Sequence, residues 1–219
     1  MTTNARTRFI PFVTTAQVKK RAEQYARAVR NGNLYKVREL LAQGVNVNTR
    51  VIANRTALAV AAREGHNHVV KYLINQGATI NARDSVGTTP LMLAAYKGSE
   101  SVVQTLLDAG ANINAQSKFG KSALMNAALY NHPRVVRLLL ERKARVNFKN
   151  SQGLQAVNFS NNYNTKRLLA ERKARVNAAS GTIAKYRRAS TIRRKAASIA
   201  AMRRQFPNNV VRRITSIRQ

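Results

Sequence analysis

The side chains that could do chemistry in this chain are overwhelmingly cationic. Its 219 residues include 39 Lys and Arg against 8 Asp and Glu, which gives a formal net charge of +31. Lys and Arg bind phosphate and carboxylate groups, and the planar Arg guanidinium does so in a bidentate geometry. The composition therefore predicts an acidic partner. Plain solubility explains it less well, because a soluble surface does not require charge of one sign only.

The few acidic residues and histidines show no spacing that is typical of catalysis or metal binding. His66 and His132 are 66 residues apart, which suits equivalent turn positions of a repeat better than a paired site. No phosphate-binding glycine loop or nucleophile elbow is present, and the lack of cysteine excludes disulfides and thiolate metal sites. We expect no enzyme activity, no cofactor, no metal and no small-molecule substrate.

The positive charge is unevenly distributed along the chain. Residues 31–114 hold eight basic and five acidic side chains, a net charge of +3. Residues 115–219 hold 24 basic and two acidic side chains, a net charge of +22, and residues 1–30 add the remaining +6. A near-neutral middle with basic ends predicts that the acidic partner binds near the C-terminal half.

The chain has no apolar run of membrane-spanning length, and its N-terminus lacks the apolar core of a secretory signal. We therefore expect no membrane span, and a location in the cytoplasm, in the nucleus or within a virion instead of secretion. The acid-free start, which contains Arg6 and Arg8, weakly resembles an organelle transit peptide, so organelle import stays an alternative.

A repeat of 33 residues must position these cations. Leucine, alanine, valine and asparagine recur at that spacing in several register positions at once: Leu58, Leu91 and Leu124; Ala61, Ala94 and Ala127; Val69, Val102 and Val135; Leu40, Leu73, Leu106 and Leu139; Asn48, Asn81, Asn114 and Asn147. A strict period of this length is typical of stacked repeats, in which no unit buries its apolar face alone.

Each unit contains the signals of two helices. A side-chain oxygen that can cap the first helix comes from Thr56, Thr89 or Ser122, and Pro90 occupies a first helical position. A glycine that can adopt the left-handed conformation follows the second helix, at Gly44, Gly77 and Gly110.

One stretch carries a family resemblance. Thr89-Pro90-Leu91-Met92-Leu93-Ala94-Ala95, followed by Gly98, Val102-Val103, Leu106-Leu107, Gly110-Ala111 and Asn114, resembles the ankyrin repeat. The resemblance covers roughly residues 17–177. It implies an all-α solenoid of stacked helical hairpins with projecting β-turn fingers, and it implies a binding scaffold, not an enzyme.

The resemblance and the composition together predict three segments. Residues 1–13 form an extended arm, whose apolar patch from Phe9 to Val13 covers the first helix pair or anchors a partner. Residues 14–177 form the repeat domain, with units near 14–48, 49–81, 82–114, 115–147 and 148–177, of which the first and last are degenerate. Residues 178–219 form a basic tail. Its helix is expected to start at a Ser180 or Thr182 cap and to end at Gln205, before Pro207.

The sequence departs from the family pattern in two ways. The family's frequent His after Thr-Pro-Leu is replaced by Ala59, Met92 and Met125, which puts the usual histidine-linked hydrogen bonds between repeats in doubt. Lys143 and Lys173 stand where glycine ends the other second helices. We expect both lysines near helix C-termini, where their charge complements the helix dipole.

The resemblance implies that finger tips and the exposed side of the first helices contact proteins. The predicted protein-binding face combines exposed aromatic rings with surrounding cations, a composition that suits interface cores: Tyr96, Phe119, Tyr130, Arg50, Arg55, Arg83, Lys118 and Lys121. The alternative is that these residues are ordinary surface.

The predicted polyanion-binding surface lies in the C-terminal half, where arginines often come in pairs: Arg142, Lys143, Arg145, Arg172, Lys173, Arg175, Lys185, Arg187, Arg188, Arg193, Arg194, Lys195, Arg203, Arg204, Arg212 and Arg213. A thin apolar stripe runs from Ala189 to Phe206. A basic helix with such a stripe has three interpretations: it binds RNA, DNA or another acidic surface, it lies on a membrane, or it docks on its own scaffold.

These observations predict a structural adaptor that binds proteins through the repeats and a polyanion through the basic half. A virion or a ribonucleoprotein particle would supply such an acidic assembly. The alternatives are a regulatory protein that binds RNA or DNA non-specifically through the tail, and an adaptor on acidic membranes.

Overall fold

A computed structural model describes residues 15–205. The arm at residues 1–13, Pro207 and the basic pair Arg212 and Arg213 lie outside the described residues. Two compact units are present: one extends to Ala170, and the other begins at Glu171. The unit that ends at Ala170 contains all of the helical hairpins described below.

The described chain is mainly helical, as predicted. Its elements are α1 (Thr15–Arg30), α2 (Leu34–Ala42), β1 (Arg50–Ile52), β2 (Arg55–Thr56), α3 (Ala57–Glu64), α4 (Asn67–Asn75), α5 (Pro90–Lys97), α6 (Glu100–Asp108), α7 (Ala123–Leu129), α8 (Pro133–Glu141), α9 (Ala156–Phe159) and α10 (Tyr163–Gln205). The two strands pair antiparallel and form the first finger.

The helices stack in two rows, which confirms the predicted repeat solenoid. The first helices α1, α3, α5, α7 and α9 pack in sequence, and the second helices α2, α4, α6 and α8 pack beside them. The 33-residue pattern is the core of the stack: Tyr25, Leu58, Leu91 and Leu124 are fully buried in one row, and Leu40, Leu73, Leu106 and Leu139 in the other. Burial raises the pKa of the Tyr25 hydroxyl, with a smaller effect of Tyr72.

The predicted helix caps are confirmed. The buried hydroxyls of Thr56, Thr89 and Ser122 each accept a hydrogen bond from the backbone N–H three residues later, at 3.3 to 3.4 Å. Each cap satisfies a backbone donor that the helix leaves unpaired, and it does so inside the stack where water cannot.

Hydrogen bonds between repeats are present, although other residues supply them. The side-chain oxygens of Asn48, Asn81 and Asn114 each accept the backbone N–H found 31 residues later, at 2.8 to 2.9 Å. The rings of His66 and His132 bond the carbonyls of Arg30 and Tyr96 in the preceding repeat, at 2.8 and 2.9 Å. The missing Thr-Pro-Leu-His histidine therefore does not leave the repeats without polar links.

The tail helix does not start where the sequence predicted. No break occurs at Ser180 or Thr182, because α10 runs without interruption from Tyr163 to Gln205. The two hydroxyls donate instead to the carbonyls of Val176 and Ala178, four residues earlier in the same helix. Leu169 in the first turns of α10 is fully buried, so these turns serve as the second helix of the last repeat.

The two substituted glycine positions differ. Lys143 follows α8 and adopts the left-handed conformation, with φ of 65°, as its glycine equivalents do. The expectation for Lys173 was wrong, because it lies inside α10 and not at a helix end. The left-handed lysine costs about 1 kcal/mol relative to glycine, so stability alone does not explain Lys143.

Two glycines with positive φ allow the cost of backbone strain to be measured separately from the cost of a steric clash. Gly110 has φ of 89° and open space around it, whereas a Cβ on Gly120, with φ of 70°, would lie 2.8 Å from the Asn150 Cα. Gly110→Ala should lower the free energy of unfolding by about 1 kcal/mol from strain alone. Gly120→Ala should cost a further ~1–3 kcal/mol from the backbone clash. Urea denaturation measures both, and equal losses would contradict the packing of this finger.

Candidate binding surfaces

The fingers are linked by a ladder of side chains with the repeat period. Arg50 donates to the Arg83 carbonyl at 3.1 Å and also to the Asn54 carbonyl. Arg83 donates to the Gln116 carbonyl, and Gln116 donates to the Lys149 carbonyl at 3.2 Å. Each side chain thus bonds the backbone of the equivalent residue one repeat later, so Arg50 and Arg83 hold the fingers together.

Arg55, the third arginine of the predicted protein-binding face, forms an ion pair. Its Nε lies 3.1 Å from Asp84 Oδ2, and the Asp84 side chain is only 3% exposed. Asp84 also accepts the N–H groups of Val86 and Thr88 at 3.1 and 2.8 Å. Burial raises the pKa of Asp84, but these N–H donors and Arg55 outweigh that effect and hold the pKa below its usual range.

The structure brings two aromatic residues of the predicted face together. The rings of Tyr96, in α5, and Tyr130, just after α7, meet edge to face with centroids 4.2 Å apart. Both are partly exposed, by 37% and 45%. Leu129, one repeat after Tyr96, is also exposed and adds apolar surface next to Tyr130. The repeat period places Leu129 on this surface from the sequence alone, because it is the equivalent of Tyr96.

Phe119, Lys118 and Lys121 lie in the finger that precedes α7. All three side chains are exposed. The Lys118 N–H donates to the Val86 carbonyl, and the Phe119 carbonyl accepts from the Ser151 N–H, both at 2.9 Å. The finger is therefore anchored to both neighbouring fingers while its side chains face solvent. Protein binding by this face stays a prediction.

Two of the three basic residues that follow α8, Arg142 and Arg145, contact other side chains of the repeats. Arg142 pairs with Asp108 at 3.0 Å, and hydrogen bonds from Gln104 and Arg142 lower the pKa of that exposed carboxyl. Arg145 places its guanidinium 5.6 Å from the centre of the Phe148 ring. Lys143 is exposed in its left-handed turn.

The other predicted polyanion ligands lie on α10 or beyond it. Arg175, Arg193, Arg194 and Lys195 are exposed, whereas Arg172 and Lys173 are half-exposed. The remaining residues fall outside the described side chains: Lys185, Arg187, Arg188, Arg203, Arg204, Arg212 and Arg213. The helix itself carries thirteen Lys and Arg against Glu171 as its single carboxylate.

Among residues 15–205, no group of three or more His, Cys, Asp or Glu could hold a metal ion. In the same part of the chain, no helix combines the length and the apolar composition that crossing a membrane requires.

Comparison with known families agrees with this architecture. A model of ankyrin repeats in three copies matches residues 26–117, and a model of ankyrin repeats in many copies matches residues 106–159. Together they span more than half of the chain, which belongs to the ankyrin-repeat family. Ankyrin-repeat arrays are typically non-catalytic modules for protein–protein interaction. A search among curated proteins gave no match.

Replacing Asp84 with Asn should lower the free energy of unfolding by about 1–3 kcal/mol at neutral pH, because buried charged hydrogen bonds are lost. Its pKa is lowered in the folded chain. Its contribution is therefore present above about pH 4 and lost as pH falls through the folded-state pKa. Urea denaturation at neutral and acid pH should show that the variant loses less stability on acidification than the parent.

Asp108→Asn is the matched control, because the Asp108 side chain is 56% exposed in its ion pair with Arg142. An exposed pair contributes about 0–1 kcal/mol, so this variant should change little. Equal losses of unfolding free energy in the two variants would contradict a stabilising role of the buried Arg55–Asp84 ion pair.

Proposed function

We propose that this protein is a non-enzymatic scaffold whose repeats bind a protein while α10 attaches to a polyanion. The setting that suits both activities is a large acidic assembly, such as a virion or a ribonucleoprotein particle. RNA or DNA would supply phosphates for the helix, and the aromatic surface of the repeats would contact a protein of the same assembly.

The exposed basic helix carries this proposal. The part of α10 from Glu171 to Gln205 rises about 50 Å and carries eleven cations, which lie roughly 5 Å apart along its axis. From Glu171 onward, none of the described side chains is buried. Such a row of cations gains affinity by displacing the counterions of a phosphate backbone, which requires no sequence-specific pocket.

The residue pattern of α10 favours a polyanion over a membrane surface. A helix that lies on a membrane gathers its apolar residues on one face. In the sequence, the stripe predicted from Ala189 to Phe206 is thin and partly alanine, and lysines and arginines occupy many of the positions around it. Exposed positions on its first turns after Glu171 include Ala174, Ala178 and Ala179, which would bury little area in lipid.

The Tyr96–Tyr130 pair supports protein binding by the repeats. Partly exposed tyrosines bury large amphipathic surfaces at little entropic cost, and they are enriched at the centres of interfaces. Leu129 adds an apolar edge, and Lys97 supplies an exposed cation beside Tyr96.

The proposal predicts a steep salt dependence of binding to single-stranded RNA. If eight helix cations meet phosphate, log affinity should fall by about six for each tenfold rise in salt. Replacing Arg187, Arg188, Arg193 and Arg194 with Gln should reduce that slope by about three. Fluorescence anisotropy with the full chain, at a series of salt concentrations, measures both slopes.

The matched control replaces four cations of the repeats, Arg63, Lys71, Lys97 and Arg134, with Gln. It changes the net charge equally but should leave the slope almost unchanged. A parent slope near one, or equal effects of the two variants, would remove α10 from polyanion binding.

A further inference from the structure

A groove lies between the first helix and the first finger, far along the chain from the basic helix. This open groove has a volume of about 400 Å³, a size that suits a few side chains of a ligand, and it is lined by residues of α1, by Asn31 and by all three residues of β1. Its apolar lining comes from Ala22, Ala26, Val51 and Ile52. Of these, Ala22, Val51 and Ile52 are half-buried and therefore accessible to a ligand.

Four cations line the same groove. Lys19, Arg27 and Arg30 come from α1 and Arg50 comes from β1, while Glu23 is the single carboxylate in the lining. Within residues 15–205, the side chains of Lys19, Arg27 and Arg30 take part in no ion pair. Arg50 is held in position by the carbonyls of the finger ladder. The groove thus carries a net charge that nothing in the described chain neutralises.

A second groove of the same volume has a balanced charge. It lies between α6 and α8 and has Arg134 and Arg137 balanced by Glu100 and Glu141. The total charge of the protein therefore does not impose positive charge on every concave surface. The excess of cations over carboxylates in the groove between α1 and β1 is therefore a local feature of its lining.

We propose that this groove binds an extended acidic segment of a partner protein. Carboxylates of the segment would pair with Lys19, Arg27 and Arg30, and a small apolar side chain between them would rest on Val51 and Ile52. Alternation of acidic and apolar residues suits an extended chain, because successive side chains point to opposite sides.

Two other occupants fit the groove less well. The chain's own residues 1–14 contain Arg6 and Arg8 and no acidic residue, so they offer no carboxylate to the cations of the groove, although their patch from Phe9 to Val13 suits its apolar lining. A nucleic acid would gain from aromatic rings that stack on its bases, and none of the ten lining residues is aromatic. The proposal does not depend on polyanion binding by α10, since no residue of that helix lines the groove.

A photo-cross-linking experiment with the full chain tests the proposal. The probe is a synthetic peptide of alternating Glu and Val that carries a photoreactive group, and its control replaces Glu with Gln. Because α10 also attracts carboxylates, the cross-linked residues must be located by mass spectrometry. We expect cross-links of the Glu peptide in α1 and β1, and at least about tenfold fewer there with the Gln peptide, since loss of charged partners costs over 1.4 kcal/mol.

Charge-reversal variants identify the residues. Lys19→Glu with Arg27→Glu should reduce cross-linking in α1 and β1 at least about tenfold, since two attractive pairs become repulsive. Lys20→Glu with Lys71→Glu changes the net charge equally at exposed positions outside the groove, and it should reduce that cross-linking less than about twofold. All four cations are exposed on helix surfaces, so both variants should fold.

Three results would overturn the proposal: cross-links confined to α10, equal effects of the two variants, or displacement of the peptide from the groove by single-stranded RNA at lower concentration than by free Glu peptide. None of them would bear on the salt dependence of α10, so failure of this inference is distinguishable from failure of the proposed function.

Discussion

Each repeat of this protein depends on its neighbours, because no unit can bury its leucines or satisfy its finger alone. Leu58, Leu91 and Leu124 are buried by the helices of adjacent repeats. The polar links have the same period, since each of Asn48, Asn81 and Asn114 accepts a backbone N–H of the following repeat. Stability in such a stack arises at the interfaces between units, and the spacing of the surface residues is fixed by those interfaces.

The cations of this protein fall into two groups, according to whether they bond neighbouring repeats to each other. The finger arginines Arg50, Arg55 and Arg83 make internal bonds that keep the fingers in register. Other cations differ from these: Arg27 and Arg30 line a groove, and the described cations of α10 after Glu171 lie where no described side chain is buried. The same residue type therefore serves structure in the fingers and is available for acidic partners elsewhere.

The sequence alone predicted the structure correctly at positions where a residue type has one common local role, such as a helix cap. The caps at Thr56, Thr89 and Ser122 and the stacked helix rows follow directly from the 33-residue period. The prediction of a helix start at Ser180 was wrong. A serine hydroxyl can cap a helix, but it can also donate to a carbonyl four residues earlier within a helix, and no proline interrupts α10. The finger ladder was detectable, since Arg50, Arg83 and Gln116 share one register position. The groove was not, because it forms only when the exposed face of α1 meets β1, which follows α2 in the chain.

The central claim is that the stack and the basic helix bind different partners. Hydrogen–deuterium exchange of the full chain, with and without a single-stranded RNA, tests it most directly. We predict slower exchange in α10 after Glu171 and unchanged exchange in α3, α5 and α7, whose amides are already protected by the stack. Slower exchange centred on the fingers and on the Tyr96–Tyr130 pair, with α10 unaffected, would contradict that division.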